Sequence, residues 1–260
     1  MYASAEAVVL APALLLAGIG LRARGAPLFA AVALIAVAFA TRLQPFALHT
    51  FLWAHLLQNV VLAEWAPALL VLAVPRRHAR RLRIAPLVAL PLWLATYFVW
   101  HLPWIYDFAL RHPHSLLHLE HVTYLLAGIC MWWPVIHGRH SSGAKAAYLF
   151  AAFVLASPLG LVLALVPRPL YSFYAHAPRA WGPSPRADQQ IAGVTMAVEQ
   201  AAVLFAVFAV YVSRFLQEEQ LEGVYSRLTD SASRLGAASS HESVTNSRAS
   251  SSEASSRTSM

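Results

Sequence analysis

The sequence is poor in cysteine and in charged residues. Cys130 is its single cysteine, so the chain can form neither an internal disulfide nor a CxxC or CxC metal site. Only 12% of the 260 residues are charged, whereas 58% are hydrophobic. A soluble domain usually carries about twice that charged fraction. Together with a mean hydropathy of +0.55, this composition indicates that lipid is the solvent for most of the chain.

The sequence also lacks the short motifs of the common enzyme classes. It contains no Walker A loop, no GxGxxG fingerprint and no recognisable catalytic triad. The run His118-Leu119-Glu120-His121 differs from HExxH and misses HxxEH by one residue, which disfavours a zinc protease. The formal charge is +7, but the arginines fall in short runs between apolar segments, which argues against nucleic-acid binding. The sequence therefore predicts no catalytic residue and no nucleotide-cofactor loop.

Long apolar runs dominate the rest of the chain. A spanning helix needs about 20 largely apolar residues, and seven runs approach this length: 5–21, 26–43, 46–74, 86–104, 115–137, 144–166 and 187–214. The sequence therefore predicts an all-α integral membrane bundle of about seven transmembrane helices, with residues 1–216 as its polytopic transmembrane domain. From about Ser226 the chain is rich in serine and poor in large apolar residues. Residues 217–260 are therefore predicted to form a disordered cytoplasmic tail.

Basic residues mark alternate loops between the predicted helices. The densest run extends from Arg76 to Arg83, and smaller groups follow the first, fifth and seventh helices. The positive-inside rule makes these loops cytoplasmic, which places the N-terminus outside and the C-terminus inside. The loop 167–187 carries three arginines on the opposite side but is weaker than the Arg76–Arg83 run. We interpret that run as a topology determinant, with contact to anionic lipid as the lesser option.

The histidines are distributed unequally between the two predicted sides. Those on the cytoplasmic side are His78, His137, His140 and His241, and those at or near the outer side are His49, His55, His101, His112, His114, His118, His121 and His176. Ionisable residues inside membrane spans are costly and mark functional sites by default. This asymmetry is the strongest chemical signal in the sequence.

Several outer residues are candidate metal ligands: His55, His101, His118, His121 and Met196. Helical spacing predicts that His55, His121 and Met196 occupy one layer of the bundle. Neutral imidazole binds copper, zinc or iron, and a thioether favours Cu(I). The candidate partners that would orient these ligands are Glu120, Asp188, Gln58 and Asn59. The structural alternative is that the histidines only pair with such groups to tie helices together.

Glu64 is a further polar residue in the third predicted helix, on the face opposite to His55. It is interpreted either as a buried hydrogen-bonding acid, which is the favoured role, or as a proton-relay group.

A set of short motifs occurs in a fixed order across residues 46–215. The motifs are His55-Leu56-Leu57-Gln58-Asn59, Ala66-Pro67-Ala68-Leu69-Leu70-Val71-Leu72 with Pro75, Trp100-His101-Leu102-Pro103 with Tyr106-Asp107, His118-Leu119-Glu120-His121, Trp132-Trp133-Pro134, Leu170-Tyr171 with Tyr174, and Asp188-Gln189-Gln190 with Gly193 and Met196. This ordered set resembles the CtaG family of polytopic cytochrome c oxidase assembly proteins, which is associated with caa-type oxidases. One position departs from the family pattern, because Asn59 stands where the family usually has a second histidine. Asparagine is a poor ligand for soft Cu(I).

The resemblance implies a non-enzymatic, multi-pass assembly factor of the bacterial cell (inner) membrane. Its implied role is copper delivery or insertion at the outer face, and its implied partners are cytochrome c oxidase subunits or other assembly factors. Two alternatives stay open. One is an oxidoreductase that holds haem between His55 and His121, and the other is a proton or metal transporter that uses Glu64 and the histidines.

Overall fold

The structure is a computed structural model that describes residues 4 and 6–257, with side chains described for residues 4, 6–229 and 231. Within this part of the chain every regular element is helical. The α-helices are α1 (Ala11–Gly20), α2 (Gly25–Ala40), α3 (Leu43–His49), α4 (Leu52–Val60), α5 (Ala66–Ala73), α6 (Arg76–Ala79), α7 (Pro86–Trp100), α8 (Pro103–Arg111), α9 (Leu116–Ile136), α10 (Ser142–Leu165), α11 (Ser172–Ala175) and α12 (Pro185–Arg257). Two π-helical segments, Glu6–Leu10 and Val61–Trp65, precede α1 and α5. The predicted all-α class is confirmed.

Four helical stretches of the described chain are long and apolar enough to cross a membrane: Leu52–Ala73, Leu116–Ile136, Ser142–Leu165 and Pro185–Thr229. Two bent pairs raise the number to six if each pair is one span: Gly25–Ala40 with Leu43–His49, and Pro86–Trp100 with Pro103–Arg111. Glu6–Gly20 is a shorter apolar helix. A helical membrane bundle is therefore confirmed, whereas the predicted count of seven spans is not.

The stretch Leu52–Ala73 lies at the centre of the bundle. It joins α4, a π-helical segment and α5, and 72% of its most apolar window is buried. The corresponding share is 61% for α9 but only 28% for α10. Side chains on α4, α5 and α9 therefore meet other helices, whereas much of α10 presents apolar side chains outward, as expected of a lipid-facing helix.

Pro67 shapes the middle of this central stretch. Its ring nitrogen carries no hydrogen, so the carbonyl of Ala63 has no donor one turn later. The indole Nε1 of Trp93 supplies the missing donor and lies 3.3 Å from the Ala63 oxygen. This hydrogen bond gives the buried carbonyl of Ala63 a donor and attaches α7 to the centre of the bundle.

Helix α9 approaches the same segment at Gly128. A Cβ atom on Gly128 would lie 2.3 Å from the Ala63 oxygen and 2.6 Å from Cγ of Pro67, so the contact requires a glycine. Glu120 and His121 lie about two turns earlier on α9. The close approach therefore brings both residues toward α4.

The C-terminal part of the chain forms a separate compact unit. The division falls between Tyr211 and Val212, close to the predicted domain boundary at residues 216 and 217. The backbone of α12 is helical as far as Arg257, through the segment for which the sequence predicts disorder. The domain boundary and the cytoplasmic disordered tail stay predictions.

Candidate functional site

Three histidines near one end of the bundle use Nδ1 to bind an oxygen acceptor. Nδ1 of His118 and Nδ1 of His121 lie 2.6 Å and 2.7 Å from the same carboxylate oxygen of Glu6. Nδ1 of His101 lies 2.8 Å from the carbonyl oxygen of Tyr97. A carboxylate or a carbonyl oxygen only accepts, so each of these rings, in its neutral form, carries its hydrogen on Nδ1 and a lone pair on Nε2.

His55 has the same tautomer for a different reason. Its Nδ1 lies 2.9 Å from the hydroxyl oxygen of Tyr174. That hydroxyl donates its single hydrogen to the carbonyl of Ala47, so it must accept from His55. Nε2 of His55 therefore presents a lone pair, and it faces a carboxylate oxygen of Glu120 at 3.9 Å. Two acceptors that face each other at this distance are expected to share a proton or a cation.

Three of these rings leave Nε2 without a partner. The Nε2 atoms of His55, His101 and His121 are buried and have no hydrogen-bond partner within the described residues. An unpaired buried polar atom costs about 1–3 kcal/mol, so three in one region require an explanation. An imidazole whose N–H is held by an oxygen while the other nitrogen is free is the form in which histidine binds a metal ion. The residues present therefore fit copper, zinc or iron.

The tightest group joins two histidines to an acid that the sequence analysis did not single out. One nitrogen or carboxylate oxygen from each of Glu6, His118 and His121 lies within 4.8 Å of the others. In the described chain, no other three His, Cys, Asp or Glu side chains come this close together. His118 is 36% exposed, whereas Glu6 and His121 are buried. The group is therefore open on the His118 side alone.

Two other predicted ligands, His55 and His101, are linked to this group through a series of ring contacts. The ring centroids of His55 and His121 are 6.1 Å apart. The ring of Tyr106 contacts both His55 and His101, with centroid distances of 5.1 Å and 5.9 Å. Met196 is buried in the apolar core, and its place in the same layer stays a prediction. The predicted histidine ligands therefore lie next to one another without converging on a single point.

The predicted orienting residues have different roles. Asn59 donates from Nδ2 to Glu120 over 2.8 Å, so it holds the acid that faces His55. Gln58 donates to the carbonyl of Ala38 over 2.7 Å and ties α4 to α2. Asn59 thus lies beside the candidate site, whereas the amide of Gln58 connects two helices.

Asp188 supports α4. Its carboxylate accepts from the backbone N–H groups of Leu52 at 2.9 Å and Trp53 at 3.1 Å, and from the Arg179 guanidinium at 2.9 Å. The first N–H groups of a helix have no acceptor within the helix, and the carboxylate of Asp188 provides one here. His55 lies on the turn that Asp188 caps. Asp188 therefore positions the histidine by way of the backbone.

A second polar cluster lies deeper along the same helices. Nε2 of Gln200 donates to Glu64 over 3.2 Å, and the indole of Trp65 donates to Glu199. The Glu199 carboxyl lies beside Glu64, and both acids are buried. Glu64 stands out in the sequence as a buried acid, whereas Glu199 and Gln200 on α12 were not among the predicted polar residues.

Glu6 and Glu199 share the signal that would have identified them. Each is an acid within an apolar run, where a charged side chain is costly unless it has a partner. Glu6 is separated by 112 residues from His118, so no local spacing connects the two.

The fold and the buried polar groups define a polytopic helical membrane protein with a histidine–carboxylate cluster in its interior. A family model described as Cytochrome c oxidase caa3 assembly factor (Caa3_CtaG) matches residues 20–218. The match covers most of the chain, so the chain belongs to this family of oxidase assembly factors, and the resemblance is confirmed. Comparisons with curated proteins and with solved structures found no match. The predicted histidine ligands lie inside the matched region, whereas Glu6 precedes it.

Proposed function

We propose that this assembly factor carries copper as its cargo and delivers it to cytochrome c oxidase without acting as an enzyme. The observation that supports copper handling is the set of three buried histidines, His55, His101 and His121, whose Nε2 lone pairs have no partner in the described chain. Imidazole binds both oxidation states of copper. A carrier that must release its ion is expected to hold it with few ligands.

The partly exposed ring of His118 offers an entrance to the group. An ion that enters there meets the carboxylate of Glu6 and then the free Nε2 of His121. The carboxyl of Glu120 faces His55 at 3.9 Å and can offset a second positive charge. The proposed route therefore runs from His118 and His121 inward to His55.

The proposed orientation places this cluster at the outer face of a bacterial cell (inner) membrane. The Arg76–Arg83 run follows α5, whereas His55 lies near the start of α4, at the opposite end of the same helical stretch. The positive-inside rule then puts the N-terminus outside and the C-terminus in the cytoplasm. The partners in this proposal are oxidase subunits or other assembly factors, which would receive copper at the histidine end.

The first test is copper retention after anaerobic loading with Cu(I) and removal of loosely bound ion. Detergent-purified wild-type protein is expected to retain stoichiometric copper, and the His55→Ala/His121→Ala variant is expected to lose it. The matched control is His112→Ala/His176→Ala, which removes two exposed histidines from the same side. Equal loss in both double variants, or no retention by the wild type, would contradict the proposal. A Soret band in the optical spectrum would favour the haem alternative.

Glu6→Gln tests the role of the acid that the structure adds to the site. The substitution keeps the size of the side chain but removes the charge that holds two Nδ1–H groups. Loss of such a supporting partner typically weakens metal binding about 10- to 100-fold. Competition with a Cu(I) chelator of known affinity measures the change, and an affinity equal to that of the wild type would remove Glu6 from the site.

Transport of protons or metal is a second candidate, because Glu64 has a neighbouring acid on another helix. Glu199 and Gln200 lie with it inside the bundle, as a relay would need. The hypothesis predicts ion flux into proteoliposomes that Glu64→Gln abolishes. Flux at the level of empty liposomes would reject it and leave these acids with a packing role.

A further inference from the structure

A basic cavity opens at the end of the bundle opposite to the histidine cluster. It has a volume of about 560 Å³ and lies between the loop after α5, the start of α7 and the end of α9. Its basic and titratable lining residues are Arg76, Arg80, Arg83, Arg139, His137 and His140. The remaining wall includes the apolar side chains of Leu82, Ile84 and Trp133.

The positive charge of the cavity is not compensated by the protein. No acidic side chain lines it. Within the part of the chain that the structure describes, none of its four arginines forms a salt bridge with an Asp or Glu. Burial lowers the pKa of His137, and the charges of Arg24, Arg76 and Lys145 lower it further. Several guanidinium groups around one cavity without a carboxylate attract an anion.

The walls of the cavity are held in place by hydrogen bonds between helices. The indole Nε1 of Trp133 donates to the carbonyl of Leu82 over 3.2 Å, which attaches the arginine loop to α9. Nε2 of His137 donates to the carbonyl of Val71 over 2.9 Å, which attaches the end of α9 to α5. A preformed cavity loses little entropy when it binds a ligand.

The turn that follows α9 is equally constrained. A Cβ atom on Gly138 would lie 2.2 Å from the carbonyl oxygen of Pro134. The chain can therefore turn back tightly into the wall that carries Arg139 and His140 only because residue 138 is glycine.

The cavity continues along an apolar surface. An adjoining cavity of about 130 Å³ shares Pro86 and His140 with it and reaches Pro134, Lys145 and Tyr148. The amine of Lys145 lies 5.2 Å from the ring centroid of Tyr211 on this side. A small soluble anion would fill only the basic part. A ligand with a phosphate group and an attached apolar body matches both parts.

We propose that this basic cavity binds the head group of an anionic phospholipid. Arg80, Arg83 and Arg139 hold the phosphate oxygens, because a guanidinium fork matches phosphate with two parallel hydrogen bonds. The glycerol and the first methylene groups lie along Pro86 and Pro134 toward the bilayer. Basic pockets between helices at a membrane surface are suited to this class of ligand.

The test compares two pairs of arginines from one loop in full-length, delipidated protein in detergent. Arg80→Gln/Arg83→Gln removes two lining charges, whereas Arg77→Gln/Arg81→Gln removes two charges that do not line the cavity. Native mass spectrometry counts bound phosphatidylglycerol, and a titration gives its dissociation constant. The lining pair is expected to weaken binding about tenfold or more, because it removes the direct guanidinium hydrogen bonds to the phosphate as well as two charges. The control pair is expected to change it far less.

Three further outcomes decide against the proposal. Equal weakening by both pairs would mean that the loop attracts lipid by its total charge without a specific site. Equal binding of zwitterionic phosphatidylcholine by the wild type would remove the need for an anion. Inorganic phosphate that competes at the same concentration as the lipid would identify a soluble anion as the ligand.

Discussion

The two ends of the helical bundle accommodate polar groups in opposite ways. At the histidine end, around His55 and His121, the polar groups are buried and make their hydrogen bonds inside the protein: Nδ1 of His55 bonds to Tyr174, and Asp188 accepts from the backbone of α4. At the arginine end, around the basic cavity, Arg80 and Arg83 are exposed, and neither forms a salt bridge in the described chain. Water and lipid head groups can form hydrogen bonds with the polar groups at the arginine end. The polar groups at the histidine end need partners within the protein.

Because of this difference, we expect the polar groups at the two ends to contribute differently to the stability of the fold. Buried polar groups stabilise the fold only as complete networks, so the loss of one partner is costly. Exposed charges contribute little to folding and act on what lies outside the protein. We therefore expect substitutions at the histidine end to change stability, and substitutions at the arginine end to change binding.

The largest effect is expected for Asp188→Ala. The change leaves the Arg179 guanidinium without its acid and two N–H groups at the start of α4 without acceptors. Removal of one partner of a buried ion pair costs about 3–5 kcal/mol. Unfolding in detergent, followed by circular dichroism, is expected to show this loss together with loss of copper retention. A variant as stable as the wild type would show that the two ends do not differ in this way.

An intermediate effect is expected for Tyr174→Phe. The ring remains, but the Nδ1 hydrogen of His55 and the carbonyl of Ala47 both lose their partner. An unsatisfied buried group costs about 1–3 kcal/mol. The same unfolding measurement tests the expectation, with Tyr225→Phe as the control because that side chain is 68% exposed. Equal stability of the two variants would mean that Tyr174 does not hold the histidine.

The smallest effect is expected for Arg81→Gln at the other end. The side chain is exposed and lies outside the basic cavity. Surface substitutions away from special features change the free energy of unfolding by about 0.5 kcal/mol or less. A larger loss of stability would show that the exposed arginines also support the fold, and would weaken the contrast between the ends.

The class of the protein follows from its residue composition. Apolar runs near the length of a membrane span require helices, because only a helix satisfies its backbone within a single segment in lipid. The sequence also singled out His55, His101, His118 and His121 as candidate ligands, because polar residues stand out in apolar helices. The ends of the helices were harder to predict: the run 86–104 contains a helix that ends at Trp100, and α8 continues to Arg111 at an angle of 72° to it.

The partners of those histidines depend on packing. Glu6 meets His118 and His121 across 112 and 115 residues, and Asp188 meets Leu52 across 136. Helices that are apolar on all sides carry little signal of which face meets which neighbour. Rotations and contacts are set by close approaches such as that of Gly128 to Ala63. Residue chemistry therefore specified the helices and the candidate ligands, whereas the assembly of the helices determined which acid faces which imidazole.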